Sequence, residues 1–165
     1  APAYARNGRM DILATNRLGR ALFTDAQSGN ATFNLARYLF LDPRSHDFYT
    51  DWATVAGDCV ATLRTEAGRN PYDRGLTDLV GELSTRSEQF RTWWATHRVK
   101  LHHAATKRMH HAVAGDLELT GDALHLPGDP GLTIVTYTWE PASATAEAIA
   151  FLDSWSTVSA DHHNS

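Results

Sequence analysis

The 165 residues contain one cysteine, Cys59. A lone thiol excludes any disulfide framework within the chain, which suits a reducing compartment. No apolar run is long enough to span a bilayer, and no leader pattern opens the chain. The expectation is a cytoplasmic location with no membrane partner. Positive charge is also in deficit, with a net charge of −4 when histidine is neutral. An acidic chain binds nucleic acid poorly on its own, because that affinity rests largely on neutralising phosphates. The signatures of catalysis are missing too. There is no GxSxG elbow, no HExxH, no CxxC and no glycine-rich phosphate loop after a strand. No nucleophile–base pair can be assembled, so a non-enzymatic domain without a cofactor is expected.

What is present is an ordinary globular balance, 42% hydrophobic and 21% charged, consistent with one domain over residues 1–158 and a C-terminal tail over 159–165. The stretch Asn34–Gly68 organises it. Asp42 and Pro43 predict a helix start, and Gly68 a left-handed stop. Between them Phe48, Trp52, Val55, Ala56, Cys59, Val60 and Leu63 recur at helical spacing as one apolar stripe. On that stripe Cys59 reads as a buried, inert thiol.

Around this stretch, Ala3 to Thr15 reads as a hairpin with a two-residue Asn7-Gly8 turn. Asn16, Asn34, Asp73 and Ser143 are placed to cap helices, and Thr85-x-x-Glu88 reads as a capping box. From Arg98 onward the pattern turns to strands, ending in the β-prone run Leu132 to Trp139. A hairpin, helices, three antiparallel strands and a closing helix predict an α+β fold with helices on one face of an antiparallel sheet of about five strands.

Two residue groups are candidates for a site. His97, His102-His103 and His110-His111 crowd one region, but with no acidic or cysteine ligands at metal spacing they read mainly as structural histidines. His97, one turn past Trp93 and Trp94, is the exception as a polar tip on an apolar wall. The basic run Arg98, Lys100, Lys107, Arg108 reads as a solvated strand face. The second group is aromatic. Tyr38, Phe40, Phe48, Trp52, Phe90, Trp94, Tyr137 and Trp139 fall on inward stripes. Periodicity leaves two readings open: a solid core, or a pocket lined by aromatics with room left at Ala36, Ala56 and Gly57.

A resemblance bears on that choice. Pro2-Ala3-Tyr4, Met10 to Asn16, Asn34-Leu35-Ala36-Arg37, Phe40-Leu41-Asp42-Pro43, Asp51-Trp52, Leu79 to Ser84, Phe90 to His97, Lys107, His110-His111, Gly115 to Leu119 and Val135 to Thr138 occur in an order that resembles the ligand-binding domain of MmyB-like transcription regulators, helix-turn-helix proteins common in actinobacteria. Ala112 departs from it, since the family usually has proline there. The resemblance implies a PAS-like sheet with a small, apolar, fatty-acid-like ligand between sheet and helices. It implies DNA binding only through an upstream domain absent from this chain. The candidate ligand-binding residues are then Arg37, Tyr38, Phe40, Phe48, Trp52, Ala56, Phe90, Trp94, His97 and Tyr137, with Arg37 or His97 paired to a polar head group. Homodimerisation stays open. The rival readings are a dimerisation domain with a filled core, and a haem or metal sensor using His97, His103 or His111.

Overall fold

The computed structural model describes residues 1–23, 32–96 and 106–162. Strands β1 (Ala3–Arg6) and β2 (Ile12–Thr15) form the expected antiparallel hairpin. Its connection is longer than the two-residue turn read from Asn7-Gly8. Asn7 Oδ1 accepts the backbone N–H groups of Arg9 and Asp11, both at 3.0 Å, and so shapes a wider loop. The positive φ falls at Met10 (69°), whose side chain is buried in the core and fixes that backbone.

Four predicted caps are present. Asn16 accepts the Gly19 amide at 2.7 Å to start α1 (Arg17–Leu22), and Asn34 accepts the Arg37 amide at 3.0 Å to start α2 (Leu35–Leu41). Asp73 serves α5 (Arg74–Arg86), and Ser143 serves α7 (Ala144–His162). Each supplies an acceptor to a first-turn amide that has no partner within its helix.

The long central helix is a correction. It is two helices, α3 (Arg44–Phe48) and α4 (Trp52–Arg69). Between them Tyr49 bridges to Met109, and the Thr50 amide donates to the Arg108 carbonyl at 3.1 Å. Backbone pairing with a strand distant in sequence outcompetes helix continuation at those residues. Asp42 Oδ1 still accepts the Arg44 amide at 3.0 Å. α4 runs through Gly68 to Arg69, so that glycine is not a left-handed stop. The capping box is corrected as well. Thr85 lies inside α5, where its hydroxyl donates to the Gly81 carbonyl, and the cap of α6 (Glu88–Thr96) is Ser87, accepting the Phe90 amide at 3.1 Å. α7 continues through His162, past the expected start of a tail at 159.

Strands β3 (Thr106–His111), β4 (Gly115–His125) and β5 (Thr133–Thr138) complete an antiparallel sheet in the order β2-β1-β5-β4-β3. The fold is α+β and the sheet PAS-like, as expected. β4 is the longest strand. Its first half pairs with β3 (Gly115↔His111 to Thr120↔Thr106) and its second half with β5 (Thr120↔Thr138 to His125↔Thr133). Where β4 has no β5 partner, the Glu118 amide donates to the Thr145 hydroxyl of α7 at 3.0 Å. α7 also packs on α1, and Arg17 there reaches Asp153 at 2.6 Å.

Side chains alternate across the strands, so one face of the sheet carries Tyr4, Met109, Leu117, Leu119, Val135 and Tyr137, all buried. Helix α4 turns Val55, Ala56, Cys59, Val60 and Leu63 toward the same core.

Candidate ligand-binding site

The inward faces of α4 and the sheet do not meet everywhere. Between them lies a cavity of about 560 Å³, within the roughly 300–1,000 Å³ usual for small-molecule sites. Its origin lies in β4. Gly121 and Ala123 stand opposite Tyr137 and Val135 on the inward face, and neither carries bulk. The Tyr137 ring edge lies 3.1 Å from where a Cβ at Gly121 would be. The missing side chains leave space that Leu35, Leu39, Val55 and Cys59 bound from the helix side.

The polar lining is mixed in charge, with Arg6, Arg69, Lys107 and His125 alongside Asp58, Glu66 and Asp122. Arg6, two residues after Tyr4 on β1, lines the cavity, and Lys107 lines it from β3. The Lys107 Nζ lies 6.0 Å from the centre of the Tyr137 ring. Burial holds the Lys107 ammonium below its ordinary value. Asp58 on α4 opposes that, and Arg6 adds to it. Burial pushes the Cys59 thiol up to about 12, so this thiol is inert at neutral pH, in line with its reading from the stripe.

The cavity meets the surface where a second, open hollow of about 600 Å³ shares Gly8, Glu66, Arg69 and Gly131 with it. Glu66 is buried there. Its Oε1 accepts from Asn70 Nδ2 at 2.8 Å, and its Oε2 pairs with Arg69 at 3.4 Å. Gly131, at φ 97°, turns the β4–β5 connection past that carboxylate, a backbone conformation that favours glycine.

Of the ten residues singled out from the sequence, the nine that are described fall elsewhere. Phe40, Trp52, Phe90 and Trp94 pack with Trp93 in one aromatic cluster, with Phe40–Phe90 ring centres at 5.1 Å and Phe90–Trp94 stacked at 5.5 Å. Tyr38 and Phe48 belong to a second cluster with Phe23, Phe33 and Tyr49. Ala56 is fully buried, and Tyr137 lies beneath Lys107. Arg37 is exposed and ion-paired to Glu82 at 2.9 Å. His97 lies outside the described residues, as do His102, His103, Arg98 and Lys100. None of the nine described residues lines the cavity.

His111 is buried, and backbone occupies both ring nitrogens. Nδ1 accepts the Val113 and Ala114 amides at 3.0 and 3.1 Å, and Nε2 donates to the Ala21 carbonyl at 2.8 Å. This explains how the turn closes with Ala112 in place of proline. His110 is exposed beside Asp116. Among the described residues no group of three or more metal-ligating side chains converges. Of the basic run, Arg108 is an exposed partner of Asp51 at 2.9 Å, whereas Lys107 points inward. Sequence reasoning missed Arg6, Lys107, Gly121 and Ala123 as site residues. The available signal was a pair of small residues, two apart, on a strand otherwise bearing leucines.

A five-stranded antiparallel sheet with a cavity under one helical layer is the build of a PAS-like ligand-binding module. The family model of the MmyB-like transcription regulator ligand binding domain matches residues 1–152, and the chain belongs to that family. No curated protein matches it. Among the described residues no helix is long and apolar enough to cross a membrane.

Proposed function

We propose that this domain senses a fatty-acid-like molecule, its chain in the cavity between sheet and α4 and its anionic end at Arg6 and Lys107. The observation supporting this reading is the placement of Arg6 from β1 and Lys107 from β3 beside the apolar wall of Leu35, Leu39, Val55 and Val135, in a space of about 560 Å³ whose lining also carries Arg69 and the carboxylates Asp58, Glu66 and Asp122. A buried carboxylate needs such partners, and charge-assisted bonds supply them. Arg6 is the permanent cation. Burial disfavours the Lys107 ammonium, and a ligand carboxylate beside it would favour that charged form. Arg37, already paired to Glu82 outside, is replaced in the head-group role.

Regulation then follows from preferential binding. The ligand stabilises whichever state of the regulator holds the cavity open, and DNA is contacted by a domain outside this chain. Titration calorimetry of the 165-residue chain with decanoic acid and with decanol tests the reading. The acid should bind about tenfold or more tighter, a charge-assisted bond contributing roughly 1.5–3 kcal/mol, and Arg6→Ala should remove the difference. Equal affinities that Arg6→Ala leaves unchanged would overturn it.

A further inference from the structure

We propose that Lys107 is also a covalent attachment point, condensing with aliphatic aldehydes or ketones that enter the cavity to form an imine. The inference rests on the reading that the cavity takes a chain-like apolar ligand, and it assigns a second ligand class to the same space.

Three observations carry it. Lys107 shares the inward face of β3 with Met109, and its Nζ stands 6.0 Å from the Tyr137 ring centre, half-buried against the cavity. Among the described residues no carboxylate pairs with that amine within ion-pair distance, although eight other basic side chains make such pairs. Finally, the chain uses lysine at only two of its 15 lysine and arginine positions, Lys100 and Lys107. A guanidinium would provide charge at this site but stays protonated, whereas a partly desolvated amine can become a nucleophile.

The charged or titratable groups acting on Lys107 are Arg6 from β1 and Asp58 and Cys59 from α4. Burial and Arg6 favour the neutral amine, and Asp58 opposes them. The Nζ lone pair attacks the carbonyl carbon to give a carbinolamine. Loss of its hydroxyl with a proton, as water, leaves the C=N bond. No oxidant or reductant takes part, and hydrolysis reverses the step.

The test is reductive trapping. The chain is incubated with decanal and cyanoborohydride, which delivers hydride to the imine carbon and fixes a secondary amine, and the adduct is located by peptide mass spectrometry. Lys107 should be labelled about tenfold or more faster than Lys100 and than Lys107 in the urea-unfolded chain, because the cavity concentrates the aldehyde beside the amine. Excess decanoic acid should suppress it, and Lys107→Arg should abolish it. The Lys107–Lys100 comparison within one chain needs no variant to fold. Labelling at Lys107 no faster than at Lys100 or in the unfolded chain overturns the inference. If decanoic acid still binds in that case, the sensor reading survives alone. If neither ligand binds, both fall.

Discussion

Gly8 and Glu66 meet at the mouth of the cavity with no room between them for a methyl group. The Glu66 carboxylate is the end of a flexible side chain, but Asn70 and Arg69 hold it in place. Gly8→Ala should therefore displace the carboxylate and break its bond to Asn70, at a cost of about 1 kcal/mol in urea unfolding. In a Glu66→Ala background the same Gly8→Ala change should cost nearly nothing. Additive losses in the double-mutant cycle would show that the backbone, not the carboxylate, moves.

Asn34 ties α2 to the β1–β2 connection through three bonds. Its Oδ1 caps α2, while its Nδ2 donates to the Asp11 carboxylate at 2.8 Å and to the Arg9 carbonyl at 2.9 Å. Burial alone would raise the Asp11 pKa, but hydrogen bonds from Asn34 and Asn7, with Arg9 nearby, outweigh it and hold it below 3.8. The native chain therefore loses stability as pH falls below that value, when Asp11 protonates. Asn34→Ala should cost about 2 kcal/mol at neutral pH and flatten this acid limb in pH-dependent unfolding.

His111→Ala would leave the Val113 and Ala114 amides without their acceptor and the Ala21 carbonyl without its donor. A loss of roughly 2–3 kcal/mol is expected in chemical denaturation, with decanoic acid affinity retained under conditions where the variant is folded. Loss of ligand binding without loss of stability would contradict this structural role.

Burial raises the pKa values of Tyr4, Tyr49, Tyr137 and Cys59. The folded chain keeps protons that the unfolded chain releases near 9.0 for the thiol and 10.0 for the phenols. Stability is thus full below those values and falls as pH rises through them. Lys107 acts oppositely. Its folded value lies below 10.5, so it adds stability as pH climbs toward that point. Lys107→Met should raise neutral-pH stability, read as a higher Tm, and steepen the alkaline loss. Thermal scans from pH 7 upward read both effects.

Local chemistry was legible in the sequence and distant pairing was not. Asn16, Asn34, Asp73 and Ser143 act within three residues of themselves, so their capping could be read directly. The break at Tyr49 depends on Met109, and no local pattern announces it. Helical and strand periodicity correctly marked Phe40, Trp52, Phe90 and Tyr137 as facing inward, but periodicity does not distinguish a filled interior from a hollow one. That difference depends on register, which sets Gly121 against Tyr137 and Ala123 against Val135. Arg6 and Lys107 became site residues only once the inward face of each strand was known.

The single bond from Glu118 to Thr145 gives the C-terminal helix a particular mechanical standing. The strand that carries the cavity-lining Gly121 and Ala123 also carries, three residues before Gly121, the amide that grips α7, and Arg17 clamps the same helix further along. α7 is therefore geared to β4 and not independently sprung. Any displacement of that strand would be passed to the first turn of a 19-residue helix rather than absorbed by a loose joint.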